Sequence, residues 1–112
     1  MNDQCVTNPR PAADLDLAGA TELAEIFRLM GDPSRLRIIL ACSAEPICVG
    51  DIARRLDLAQ SLVSHHLRLL RAARLVRGER SGKQMLYQLA DDHIRCVVAD
   101  MVDHVIEPAE EA

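Results

Sequence analysis

The sequence has almost no aromatic residues: one tyrosine and one phenylalanine stand among 112 residues, and tryptophan is absent. Because 49% of the residues are still hydrophobic, the core must be built from aliphatic side chains. Long apolar runs are also missing, and the N-terminal stretch MNDQCVTNPRPAADLD has neither a basic start nor an apolar segment. We therefore expect no signal peptide, no membrane span and a cytoplasmic location.

The length and the motifs exclude further classes. A chain of 112 residues has room for one small domain, so a separate substrate domain is not expected. It contains no set of nucleophile, base and orienting group and no glycine-rich phosphate loop, which argues against an enzyme. The four cysteines, Cys5, Cys42, Cys48 and Cys96, form no C-x-x-C pair, and in a reducing compartment we expect buried thiols or ligands rather than disulfides.

Charge is distributed unevenly along the chain. Residues 28–83 carry eleven Arg or Lys against five acidic residues, a net charge of +6. Residues 1–27 and 84–112 have net charges of −4 and −6. A basic middle between acidic ends indicates a nucleic-acid-binding surface, although solvated arginines on ordinary helix faces would give the same count.

Apolar spacing, capping residues and chain breakers predict five helices and a hairpin. The predicted helices run from Leu17 to Met30, from Pro33 to about Cys42, from Val49 or Gly50 to Leu56, from about Gln60 along SLVSHHLRLLRAARL, and from Asp91 or Asp92 to Ile106. The third and fourth helices, joined by a short turn, form a helix-turn-helix. The segments LVRGER and QMLYQL flank a glycine turn and predict a basic β-hairpin.

The fold class is therefore mainly α with a small β-hairpin wing, a winged helix-turn-helix dimerised through its terminal helices. We divide the chain into an arm (residues 1–17), a DNA-binding and dimerisation domain (18–107) and a short acidic tail (108–112). In the fourth helix, polar residues face away from the apolar stripe. The predicted DNA contacts, in the reading helix and on the wing, are Gln60, Ser61, Ser64, His65, Arg68, Arg77, Arg80 and Lys83.

The last helix has histidine and carboxylate side chains beside its apolar stripe. His93 and His104 point the same way but lie ~16 Å apart along the axis, so they cannot bind one ion together. If two such helices pair antiparallel, Asp91 and His93 of one chain come opposite His104 and Glu107 of the other. Two nitrogens and two oxygens suit a tetrahedral zinc ion. Alternatively, Asp91 only caps the helix and the histidines are surface residues.

The run ICVGDIARRLDLAQSLVSHHLRLLRAARLVRGERSGKQMLYQLADDHI resembles the core of the ArsR/SmtB family of metal-responsive winged-helix repressors. The GDPSRLRII segment, the CVGD motif, the SxxVSHHLRLL helix and the Asp-x-His and His-x-x-Glu pattern carry this resemblance. It implies that Asp91, His93, His104 and Glu107 form the zinc-sensing site between dimer helices. The implied protein is a homodimer that binds an imperfectly palindromic operator without metal and is released by Zn(II), with Co(II), Ni(II) or Cd(II) as other candidates.

Two further hypotheses concern the cysteines. The resemblance implies a second metal site from Cys48, Asp51 and Cys5, against the alternative that Cys48 is buried and Asp51 caps the third helix. Some relatives of the fold sense oxidants or sulfur species through two cysteines, for which Cys42 and Cys96 are the candidates. A metal-buffering protein is the alternative from another class, since it would need the ligands but neither the reading helix nor the wing.

Overall fold

The computed structural model describes residues 15–109, so Cys5 and most of the predicted arm lie outside the described part. The elements occur in the order α1 (Leu17–Met30), α2 (Pro33–Ala44), α3 (Val49–Leu56), α4 (Gln60–Ala72), β1 (Val76–Ser81), β2 (Gln84–Leu89) and α5 (Asp92–Ile106). This order confirms the predicted winged helix-turn-helix. Among residues 15–109, no helix combines the length and the apolar character needed to cross a membrane.

Local capping explains where three helices begin. The carboxylates of Asp16, Asp32 and Asp91 each accept a hydrogen bond from a backbone N–H three residues further on, at 2.8, 3.0 and 2.9 Å. Pro33 is the first residue of α2, where its missing N–H leaves no hydrogen bond unmade.

The turn between α3 and α4 spans only three residues. Asp57 ends α3 in the left-handed region with φ 56°, and the Leu58 N–H donates to the Ala53 carbonyl at 3.0 Å. Backbone hydrogen bonds also anchor the wing to the core. The Ile47 N–H donates to the Tyr87 carbonyl at 3.0 Å, and the Tyr87 N–H donates to the Ile47 carbonyl at 2.8 Å. These contacts hold α4 and the β-hairpin on one rigid body.

The core is aliphatic, as the composition predicted. Its completely enclosed side chains come from α2, α3, α4, the α4–β1 connection and the hairpin, and no aromatic residue is among them. They are Ile38, Ile39, Cys42, Ile52, Val63, Leu67, Leu70, Leu75, Val76 and Leu89. Burial of aliphatic surface at ~25 cal/mol per Å² is therefore what holds α4 in its orientation.

Candidate nucleic-acid interface and metal ligands

Helix α4 presents two distinct faces. Val63, Leu67 and Leu70 are buried against the core, whereas Gln60, Ser61, His65 and Arg68 are exposed and Ser64 is half-buried. These five side chains supply the amide, hydroxyl, imidazole and guanidinium groups that a groove-reading helix needs. Thus the polar face predicted from the sequence is present.

The N-terminus of α4 is open. Ala59 occupies the capping position and has no side chain that can accept a hydrogen bond from the first turn. The first-turn N–H groups therefore remain available to solvent or to an anion such as a phosphate. Gln60 folds back toward α3, since a Cβ added at Gly50 would lie 3.6 Å from its Nε2 atom.

The two arginines of the wing differ in position. Arg80 pairs with Met85 beside the Gly82-Lys83 turn, while Arg77 pairs with Gln88 near the base of the hairpin. Because side chains alternate along a strand, these two arginines project from opposite faces of β1. Arg80 and Lys83 occupy the wing tip, and Arg77 instead lines a cavity at the end of α4.

Next to the reading face, a concave surface of about 190 Å³ lies between α4 and the wing. Ser64, Arg68 and Arg71 line it together with Leu67 and Tyr87. Two guanidinium groups beside a hydroxyl suit a backbone phosphate.

His66 has a packing role rather than a reading role. It is only 8% exposed, and its Nδ1 atom has no hydrogen-bond partner among the described residues. Burial lowers the pKa of His66, and the nearby Asp32 carboxylate opposes this shift. His66 therefore belongs to the buried side of α4, together with Val63, Leu67 and Leu70.

The four predicted metal ligands lie at the two ends of α5. Asp91, His93, His104 and Glu107 are all exposed. Asp91 caps α5 through its Oδ1 atom, as the alternative expectation held, but a carboxylate has a second oxygen with which to bind a cation. Within residues 15–109, no three His, Cys, Asp or Glu side chains converge to hold a metal, so one chain alone does not form the site.

Among residues 15–109, large apolar side chains on α1 and α5 are exposed. Phe27 is 57% exposed and Leu23 42% on α1, while Met101 and Val105 are 55% and 76% exposed on α5. Exposed apolar side chains clustered on two terminal helices mark an interaction surface.

The second predicted site is incomplete in the described residues. Cys48 is half-buried at the start of α3 and Asp51 pairs with Arg54. Asp51 lies inside the first turn, so the alternative that it caps α3 is wrong; the backbone of Cys48 takes the capping position. Cys5 lies outside the described residues.

The cysteines give one correction. Cys42 is a free thiol in the core, and burial raises its pKa to about 12. Cys96, half-buried on α5, is disulfide-bonded, which contradicts the expectation of thiols throughout. Because Cys42 is free, the structure does not join Cys42 to Cys96.

The sequence analysis did not predict that three arginines near the end of α4 line one cavity. Arg71, Arg74 and Arg77 line a cavity of about 620 Å³ that also reaches Asp91. The signal was present as arginines at every third position from residue 68 to residue 77. Arg74 follows the α4 C-cap Ala73 and lies in the left-handed region with φ 61°, between α4 and β1.

Comparison with known proteins finds relatives among bacterial transcriptional regulators. Residues 32–77 match the family described as bacterial regulatory protein, arsR family. The chain is 41% identical over 108 residues to the HTH-type transcriptional repressor SmtB of Mycobacterium tuberculosis, covering 95% of this chain and 76% of that protein. It is 40% identical over 93 residues to the transcriptional repressor SmtB homolog of Synechocystis sp., covering 83% and 70%.

Solved structures agree with the fold. The solution structure of apo-NmtR has 32% identity and a TM-score of 0.70, covering 94% of this chain and 92% of that chain. The homodimeric winged helix-turn-helix DNA-binding domain from Mycobacterium bovis has a TM-score of 0.73, covering 91% and 100%. At 19% identity, the latter likeness concerns the fold alone.

Proposed function

This chain belongs to the ArsR family of bacterial regulatory proteins, and from this premise we propose that it is a zinc-responsive transcriptional repressor. It binds operator DNA as an apo homodimer in the cytoplasm and is released when Zn(II) occupies two sites between the α5 helices. The observation that carries the proposal is the placement of an Asp-x-His pair at one end of α5 and a His-x-x-Glu set at the other.

The dimer follows from the exposed apolar faces of α1 and α5. An antiparallel α5 pair that sets Asp91 opposite Glu107 has its crossing point at Ala99, midway between them. Val97 and Met101, 44% and 55% exposed, lie four residues apart on the face of α5 that also carries His93 and His104. In this register Val97 of each chain would be covered by Met101 of the second copy.

Each metal site takes its ligands from both chains. Asp91 and His93 of one chain meet His104 and Glu107 of the partner subunit, a donor set of two nitrogens and two oxygens that suits tetrahedral zinc. A bound zinc ion supplies a rigid link between the two helices. Co(II), Ni(II) and Cd(II) accept related donors, and affinity order alone does not decide which metal acts in the cell.

DNA reading is assigned to the polar face of α4. Gln60, Ser61, Ser64, His65 and Arg68 enter the major groove, while Arg80 and Lys83 of the wing contact phosphate and position the protein. Residues 18–107 form this functional unit, preceded by the arm of residues 1–17 and followed by the acidic tail of residues 108–112.

The decisive experiment is a metal titration of the protein–DNA complex. Apo protein bound to a labelled operator, selected from a random DNA pool, is titrated with Zn(II) while fluorescence anisotropy is followed. We expect a loss of DNA affinity of roughly 5- to 150-fold. The His104→Ala variant should stay on DNA, whereas the control Asp103→Asn, which removes a neighbouring exposed carboxylate, should respond normally.

The same experiment separates the alternatives. Loss of release in Cys96→Ser or Cys42→Ser, with His104→Ala unaffected, would favour a redox repressor. Zinc binding without specific DNA binding would favour a metal-buffering protein. The high pKa of the Cys42 thiol argues against the first alternative, because thiolates rather than thiols react.

A further inference from the structure

A basic cavity of about 620 Å³ lies where the end of α4, the start of β1 and the start of α5 meet. Arg71, Arg74 and Arg77 line it, and all three are exposed. Three guanidinium groups around one concavity repel one another unless an anionic group lies among them. The cavity therefore suits a carboxylate-bearing occupant.

Carboxylates of the described residues balance only part of the positive charge of these three arginines. Arg74 forms a 3.5 Å ion pair with Glu22, and both side chains are largely exposed. Between residues 15 and 109, neither Arg71 nor Arg77 forms an ion pair with a carboxylate. Asp91 also lines the cavity, so within residues 15–109 two carboxylates stand against the three guanidinium groups.

The dimer geometry brings an acidic segment to this cavity. In the antiparallel α5 pair, residues after Glu107 of one subunit run past Asp91 and Ala90 of the other. Ala90 and Asp91 are cavity-lining residues. α5 ends at Ile106, and Pro108 cannot continue a helix. Glu110 and Glu111 come within four residues of Glu107 in the sequence, a length of chain that can span up to ~13 Å.

We propose that the acidic segment Glu110–Glu111 of each subunit docks on the Arg71–Arg74–Arg77 cavity of its partner. This inference rests on the antiparallel α5 pairing of the proposed function. Charge complementarity supports it, because residues 84–112 have a net charge of −6 and the cavity is formed by arginines of the basic middle segment. The contact lies beside the proposed metal ligand Asp91 and touches the end of the reading helix, so it links the dimer interface to the DNA-binding unit.

The first test measures dimer affinity. Sedimentation equilibrium of Glu110→Gln/Glu111→Gln at low salt should show a dimer dissociation constant raised by roughly three- to tenfold, since exposed ion pairs contribute modestly. The difference should disappear at about 1 M salt, where screening is nearly complete. The control Glu45→Gln/Glu79→Gln, which removes two exposed carboxylates that do not line the cavity, should match the parent protein. An equal change in both variants would overturn the proposal.

The second test identifies the contact. In Arg74→Lys/Arg77→Lys, a carbodiimide should join Lys at position 74 or 77 to Glu110 or Glu111 without a spacer, and mass spectrometry locates the link. Mixing ¹⁵N-labelled and unlabelled protein distinguishes links between chains from links within one chain. Links confined to one chain, or no link to residues 110 and 111, would contradict the proposal.

A third comparison distinguishes the two proposals. Zinc stoichiometry and dimer formation are measured on the same Glu110→Gln/Glu111→Gln variant. If one zinc per chain still binds and depends on His104, while dimer affinity and cross-linking show no effect of the tail, only the tail contact is wrong. If His104→Ala changes neither metal binding nor release, the α5 site itself is wrong.

Discussion

At the scale of single residues, His66 is a titratable side chain that is buried in the packing of α4. It lies next to the exposed His65, with the two ring centroids 5.9 Å apart, yet only His66 is buried. Asp32, Arg35 and His65 are the charged or titratable groups that act on it. The net effect lowers the pKa of His66 because desolvation disfavours the imidazolium.

This shift predicts a pH dependence of stability. The unfolded imidazole takes up a proton near its ordinary pKa of 6.5, whereas the folded one does so only at lower pH. The unfolded state then binds more protons, so the free energy of unfolding should fall as pH falls through this range. His66→Leu should flatten the slope measured by urea denaturation between about pH 7.5 and pH 5.5. The control Ser61→Ala, which removes no titratable group from the exposed face of α4, should leave the slope unchanged, and an unchanged slope in His66→Leu would contradict the assignment.

Asp91 combines a structural and a proposed chemical role, and two substitutions separate them. Asn caps a helix about as well as Asp, while Ala costs about 1 kcal/mol at such a position. Asp91→Asn should therefore keep the stability of the apo protein but weaken zinc binding, measured by competition with a chelator. Asp91→Ala should lower both. Unchanged zinc affinity in Asp91→Asn would show that the residue is only a cap.

At the scale of elements, the β-hairpin depends on one close approach. Gly78 lies opposite Tyr87, and a Cβ added there would be 3.2 Å from both the Met85 Sδ and the Tyr87 Cε1 atoms. Tyr87 in turn holds the wing to Ile47 through two backbone hydrogen bonds. Movement of the Tyr87 ring would thus disturb the wing and its junction with the core together.

Two glycine substitutions test this packing. Gly78→Ala should lower the free energy of unfolding by about 1 to 2 kcal/mol through overpacking. Gly50→Ala is the matched control, because its nearest side-chain atoms would be 3.6 and 3.8 Å away. It should stabilise α3 by up to about 1 kcal/mol, since alanine restricts the unfolded chain. Equal effects of both changes in denaturant titrations would contradict the close approach at Gly78.

The boundaries of the elements were predictable because the signals are local. Asp32-Pro33 and Asp91 mark helix starts through the chemistry of their own first turns, and the structure begins α2 and α5 there. What sequence reasoning missed depends on distant contacts. The separation of Arg77 from Arg80 follows from strand register, and the arginine cavity requires three elements to meet. The disulfide at Cys96 had no sequence signal, because the cysteines form no paired motif.

At the scale of the whole molecule, the proposed site cannot be read from one chain. The ligands at the two ends of α5 are too far apart to meet within one subunit, so the site was predictable only by imposing a twofold axis. The exposed apolar residues of α1 and α5 are the independent observation consistent with such an axis. The proposed function therefore requires an assembly and not only the fold of a subunit.

Mixed dimers test this dependence directly. When a His93→Ala subunit pairs with a His104→Ala subunit, one site loses both histidines and the other keeps both. Isothermal titration should then find one tight zinc site per mixed dimer, while each homodimeric variant binds zinc weakly at both sites. Tight binding of one zinc per isolated monomer would contradict shared ligands.

The remaining prediction concerns the coupling of the two proposed sites through the whole dimer. Zinc linking two α5 helices favours one relative orientation of the subunits, while an operator favours the orientation that places both α4 helices in successive major grooves. If these orientations differ, zinc lowers DNA affinity, and reciprocity requires that saturating operator lower zinc affinity by the same factor. The route we expect runs from His104, whose second ring nitrogen can donate to a backbone carbonyl at the end of the reading helix, around Arg74. Zinc affinity measured with and without operator should differ by the factor found for DNA affinity, and His104→Asn should remain on DNA when zinc is added. Equal zinc affinity in the free and operator-bound dimer would rule out this coupling, whatever the residues of the site.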